Sequence, residues 1–238
     1  MPSGQAPDGR TQVTRHPERG LYERRELETI IDAAFHGHLA FVVDEQPFAM
    51  PMLHVRDGQE ILLHGSVKSR FARIVGSGTA LCYTVTLIDG LVLARSAFNH
   101  SVNYRSAVVL GTGRVLEDPE EKLRAMELLV DHVIPGRTAD ARAPAPNELK
   151  ATEIIAMHMD EASAKVRTGG PVDTKQDMGM EIWAGVVPVA LRAGEPITDD
   201  GAHAAVPDYV KQRLSDRSVP AHDPHGAAVP KAGGAADS

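Results

Sequence analysis

The residues best equipped for chemistry are concentrated in one stretch, EILLHGSVKSRFARIV, from Glu60 to Val75. An apolar strand pattern ends in Leu63, His64 and Gly65, a tight turn follows, and a short helical pattern carries Lys68, Arg70 and Arg73 away from Ser66 and Ser69. Hydroxyls, the unsatisfied N–H groups of a helix start and clustered positive charge are what a phosphate needs. The stretch therefore predicts a site for a phosphate-bearing cofactor. It is neither a Walker sequence nor a GxGxxG fingerprint, and a basic surface turn has a similar composition.

Three further features qualify this site. The run HSVNYRS, from His100, gathers the donors Ser101, Asn103, Tyr104, Arg105 and Ser106, which could grip the other end of a polar ligand or cap an ordinary turn. His54 and His64 flank the Asp57-Gly58 turn on adjacent strand patterns and are expected to face one pocket, where an imidazole could donate to a ring or exchange a proton near neutral pH. Trp183 is the only tryptophan and suits either core packing or the side of a planar cofactor. The close histidine pairs, His36-x-His38 and His222-x-x-His225, lack a cysteine or carboxylate pattern of metal-site spacing, so no metal centre is predicted. There is no GxSxG elbow to support a serine nucleophile.

The charge balance narrows the ligand class. Lys and Arg number 25 against 32 Asp and Glu in 238 residues, a net charge of -7, which argues against a nucleic-acid binder. Between Ile61 and Leu116, however, six basic residues meet a single acid, Asp89. An acidic protein with a basic middle suggests a site for a small anion. Cys82 is the only cysteine, so no internal disulfide is possible. With no apolar stretch of membrane-span length and no signal-peptide core, a cytoplasmic protein is expected.

The elements that must position these residues read mainly as strands. Leu27, Ile30, Ile31, Ala34 and Phe35 fall at helical spacing. HLAFVVD and FAMPMLHV then read as strands joined by the DEQP turn, and Asp57-Gly58 returns the chain into EILLH. TALCYTVTLI and LVLAR read as a hairpin turned at Asp89-Gly90, SAVVLGTGRVLE as a strand, SAKVR as a basic turn. DPEEKLRAMELLVDHVI is a helix capped by Asp118, with Leu123, Met126, Leu129, Val130 and Val133 on one face. Strands in TEIIAMHMD and around WAGVVPVAL complete about seven short strands with three or four peripheral helices, a pattern that fits a small antiparallel barrel. Residues 1–20 and 193–238, poor in aromatic residues, are expected to be a disordered arm and a mostly disordered tail around one domain at 21–192, with PDYVKQRL as a docked helical turn.

HGSVKSR, LIDGLVLARSAFNHSVNYRSAVVLG, EASAKVR and IWAGVVPV together resemble the flavin-nucleotide-binding branch of the pyridoxamine 5'-phosphate oxidase-like superfamily, which includes nitroimidazole-resistance proteins. The likeness covers about residues 15–192. It implies a mainly β fold, a six- to seven-stranded antiparallel split β-barrel of the FMN-binding type, in a homodimer with FMN at the subunit interface. By the same likeness Met52, Leu53, His54, Leu63, His64 and Gly65 would line the ring. Ser69 and Arg70 would hold the phosphate with Lys68 assisting, Arg105 and Ser106 would approach the flavin from the partner subunit, and Trp183 would lie near the second face of the cofactor. The oxidase's C-terminal Arg and His motif has no counterpart after Trp183, so vitamin B6 oxidation is not expected. The expected function is an FMN-dependent oxidoreductase of a small molecule, with His64 as catalytic candidate and NAD(P)H or a deazaflavin as reductant. A non-catalytic flavin or tetrapyrrole (haem) binder on the same barrel is the alternative. Neither nucleic acid nor membrane is an expected partner.

Overall fold

The computed structural model describes residues 9–75 and 77–216. The chain begins with a short strand, β1 (Gly20–Leu21), and a helix, α1 (Arg24–Ala33), whose Leu27, Ile30 and Ile31 form one buried stripe. Strands β2 (His36–Val43), β3 (Gln46–Asp57) and β4 (Glu60–Ser66) follow as consecutive hairpins. The first hairpin turns on Asp44 and Glu45, both left-handed at φ 48 and 63, and the second on Gly58 at φ 57. A six-residue helix, α2 (Arg70–Val75), leads to the long strand β5 (Leu81–Leu93), then β6 (Ser101–Gly111) and β7 (Gly113–Val115).

Helix α3 (Pro119–Val133) is capped by Asp118, whose carboxylate accepts from Glu120 N at 3.3 Å. After α4 (Pro146–Ala151), the strands β8 (Thr152–His158) and β9 (Glu161–Arg167) return the chain to the sheet. A long loop then reaches β10 (Gly185–Pro188), and α5 (Asp208–Asp216) is the last described element.

All described strands join one antiparallel sheet in the order β1-β9-β6-β5-β2-β3-β4-β8-β7, with β10 added to β5. The architecture is the mainly β, antiparallel split barrel that the sequence implies, but with ten strands rather than six or seven, and its path stays open between β1 and β7. β3 makes the split. Its residues Gln46 to Leu53 pair with β2, and from His54 to Asp57 it pairs with β4 instead. Pro51 sits in the stretch paired only with β2, where one open edge tolerates proline.

Two cores result. The larger packs Leu39, Phe41, Leu63, Tyr83, Val109 and Ile155 against the α1 stripe. The smaller packs Val55, Leu62, Ile154 and Ala156 against Ala125 and Leu129 of α3.

Two strand segments differ from their sequence reading. Asp89-Gly90 is not a turn but an irregularity within the continuous β5, where the register against β6 shifts between Ile88 and Gly90. The Asp89 carboxylate is held by Arg105 of β6, and a Cβ on Gly90 would lie 2.9 Å from Val186 Cγ1 of β10, which explains the residue pair without a chain reversal. SAKVR is the body of β9, paired with β6 from Tyr104 to Leu110, because Ala162 and Ala164 are buried core residues. The N-terminal arm is anchored from Arg10, whose guanidinium grips Glu161 at 2.6 and 2.7 Å, while Lys165 Nζ donates to Arg15 O at 2.8 Å. The tail carries a helix of more than one turn, α5. Residues 1–8 and 217–238, with His222 and His225, lie outside the described residues.

Candidate functional site

β4 carries the centre of the site. Because successive side chains of a strand alternate between faces, Ile61 and Leu63 enter the larger core while Leu62 enters the smaller one. His64 shares the α3 side of the sheet. It opens into a cavity of about 320 Å³ lined by Leu53, Met126, Leu129, Val130, Val133, Ile134 and Arg137. Apart from His64 and Arg137 the lining is aliphatic or thioether. His64 is solvent-exposed at the cavity, and among the described residues its ring forms no hydrogen bond; desolvation by the surrounding side chains lowers its pKa, which favours the neutral imidazole.

His54 belongs elsewhere. It faces Leu63 in the ladder and is buried completely, so the expectation that His54 and His64 face one pocket is corrected by register. Its Nε2 donates to Ile31 O at 3.0 Å, which leaves Nδ1 of the neutral ring to accept from the Tyr83 hydroxyl at 2.8 Å. Burial pushes the His54 pKa down to about 4, opposed by the Ile31 carbonyl. The same burial pushes the Tyr83 phenol up.

The basic cluster forms a second opening. Arg70 and Arg73 line a cavity of about 430 Å³ with Val42, Val43, Ile74, Ser77 and Thr79. The Arg70 guanidinium lies 4.2 Å from the Phe48 ring centroid, a cation–π contact that fixes its direction. Ser66 Oγ accepts from Lys68 N at 3.2 Å and Ser69 Oγ from Ala72 N at 3.3 Å, so both hydroxyls brace the turn and keep their own hydrogens to donate. Among the described residues, none of Lys68, Arg70 and Arg73 forms an ion pair. Two of these cations, Arg70 and Arg73, share one cavity whose lining holds no carboxylate, an arrangement that fits a phosphate.

The other sequence candidates are dispersed. The side chains of Met52 and Leu63 are in the larger core, while Leu53 reaches the His64 cavity and Gly65 is half-buried. Arg105 donates through Nε and Nη2 to Asp89 at 2.9 and 2.8 Å, and Ser106 Oγ donates to Lys165 O at 3.3 Å. Trp183 is 66% exposed. β5 and β2 separate β6 from β3, and none of Arg105, Ser106 and Trp183 lines the cavity at Arg70. The sequence reading missed Arg137 and Tyr83. The only prior signal for the His64 cavity was the breadth of the α3 apolar face, whose Val130 remains 39% exposed instead of joining the smaller core.

The sequence model of the family described as Pyridoxamine 5'-phosphate oxidase matches residues 23–166, which span α1 through β9 apart from the last residue of β9. The chain belongs to this family. Among solved structures, the flavocytochrome Anf3 from Azotobacter vinelandii is 32% identical, with a TM-score of 0.83, over 88% of this chain and 98% of that one. A FAD and heme binding protein from Mycobacterium smegmatis is 35% identical, with a TM-score of 0.79, over 82% of this chain and 97% of that one. A Bacteroides thetaiotaomicron protein assigned to 5-nitroimidazole antibiotic resistance shares the fold at 20% identity and a TM-score of 0.52, over 62% of this chain and 86% of that one. No curated protein matches the chain in sequence. Among the described residues no helix is long and apolar enough to cross a membrane.

Proposed function

We propose that this protein is a redox protein that binds a flavin at the Lys68–Arg73 cluster and a haem in the His64 cavity. The observation that carries the haem assignment is His64 itself, a neutral imidazole free of hydrogen bonds in an otherwise apolar cavity with one cation, Arg137. An apolar wall would suit the porphyrin face, and the His64 imidazole would be free to bind the iron. Two relatives above 30% identity, a flavocytochrome and a FAD and heme binding protein, support the pairing of the two groups.

The flavin half rests on the phosphate-competent donors. Arg70 and Arg73 would take the 5'-phosphate of the FMN moiety, with Ser69 and Lys68 beside them. FMN is the simplest occupant, and FAD carries the same moiety. Arg105, Ser106 and Trp183 would reach that flavin from a second copy of this chain in a homodimer. The flavin, once bound, supplies one- or two-electron transfer, while the haem iron supplies single-electron transfer. The chain's own part is to hold each group and to set the apolar side chains of α3 beside the His64 ring.

In this role His64 would hold the haem iron rather than donate a proton. The test is the absorption spectrum of the purified protein with mass measurement of the released groups. Anaerobic mixing with NADH, NADPH or a reduced deazaflavin then asks whether the flavin bleaches. Bleaching makes the protein an oxidoreductase, and its absence with all three leaves a binder.

A further inference from the structure

Arg137 stands at the mouth of the His64 cavity on a closely fixed turn. After α3 the chain passes through Gly136 at φ 87, and Arg137 N donates to Ile134 O at 3.1 Å. The Asp131 carboxylate clamps the next residue, accepting from Thr138 N at 2.9 Å and from Thr138 Oγ1 at 2.7 Å. The Arg137 guanidinium therefore has a defined origin, yet among the described residues it has no carboxylate partner within ion-pair distance.

Its partner is neutral. Arg137 Nη1 donates to the hydroxyl of Tyr209 on α5 at 3.2 Å, and the Tyr209 ring lies over Gly136, where a Cβ would sit 3.7 Å from Tyr209 Cγ. A segment from beyond the barrel is thus seated at the cavity mouth, with the Tyr209 side chain against Arg137 and Gly136. A phenol oxygen is a weaker acceptor for guanidinium than a carboxylate, which offers two oxygens in matching geometry.

We propose that Arg137 reads a carboxylate of the ligand in the His64 cavity, and that Tyr209 occupies Arg137 only until that carboxylate arrives. The proposal rests on the haem site above, where the acidic groups are the propionates. An apolar cavity accepts the ring but cannot accept an unpaired carboxylate. A single arginine at the mouth sets the ligand's orientation, acid outward and ring against α3. Loading then exchanges the Tyr209 contact for an ion pair, so α5 is released from the mouth as the ligand seats.

The experiment compares hemin with its dimethyl ester, which keeps the ring and iron but lacks both carboxylates. The full chain, stripped of haem, is titrated with each while the haem absorption band is followed. In the wild type both bind and hemin binds more tightly. Arg137→Gln weakens hemin by about ten- to a hundredfold, the scale of a charge-assisted hydrogen bond, and leaves the ester unchanged. Tyr209→Phe tightens hemin by about two- to tenfold, the scale of one solvent-exposed hydrogen bond lost from the competing state, and again leaves the ester unchanged. The ester serves as the folding control in each variant. Equal weakening of both ligands by Arg137→Gln, or no weakening, overturns the carboxylate role while leaving the haem site intact. Loss of hemin affinity in Tyr209→Phe overturns the exchange. Failure of the wild type to bind either porphyrin removes the haem site and this inference with it.

Discussion

The hydroxyl of Tyr83 lies 2.8 Å from Nδ1 of His54 inside the larger core, with the far ring nitrogen of His54 held by the Ile31 carbonyl. The pair ties β5 to β3 and to the end of α1, and it fixes the neutral tautomer. His54 takes its proton at about pH 4 in the folded protein but near the ordinary histidine value when unfolded. Between those values the unfolded chain binds more protons, so stability is complete above about pH 6.5 and falls as the pH drops toward 4. The loss is on the order of 3 kcal/mol. Urea unfolding at pH 7.5 and pH 5 should show most of it, and His54→Gln should be less stable at pH 7.5 but flatter across the interval. His64 contributes in the same direction and is retained in that variant.

The β2–β3 hairpin stores strain in its turn. Asp44 and Glu45 both adopt left-handed angles without being glycine, because Val43 pairs with Gln46 and leaves only two residues to reverse the chain. Glu45→Gly should stabilise the protein by roughly 1 kcal/mol, read as a higher urea midpoint at unchanged slope.

How much of this was legible in the sequence depends on whether the deciding partner was near in the chain. The Asp57-Gly58 hairpin was readable because turn chemistry is local, and Gly58 indeed takes φ 57. Asp89-Gly90 has the same composition, but its role is set by Arg105 on the next strand and Val186 of β10, so it reads as a turn and is a bulge. The anion cluster was legible as charge density, since Lys68, Arg70 and Arg73 lie within six residues. The faces of His54 and His64 were not, because both sit on strands whose outward side changes meaning where β3 leaves β2 for β4. Nothing local marked Arg137 either, as its relation to His64 is made by the docking of α3.

Arg70 should carry much of the flavin affinity. Its guanidinium is aimed by Phe48 and has no competing carboxylate among the described residues. Arg70→Ala is expected to weaken flavin binding by about 1.5–3 kcal/mol, measured by quenching of flavin fluorescence on titration. Phe48→Leu should weaken it less, since it removes only the ring that aims the charge.

Trp183, Leu91, Val187 and Leu191 expose large apolar surface on and beside the β5–β10 ladder. Such a patch on one chain is expected to meet a second copy. Light scattering should give twice 25.5 kDa, and Trp183→Glu should shift the population toward the monomer and lower flavin affinity together.

The most direct measurement is the absorption spectrum of purified wild type beside His64→Ala, before and after addition of hemin and flavin. The expected result is a wild type carrying both flavin and haem bands, and a His64→Ala protein that keeps the flavin band but loses the histidine-ligated haem band. A colourless wild type that takes up neither group, or a haem band unchanged by His64→Ala, would contradict the account.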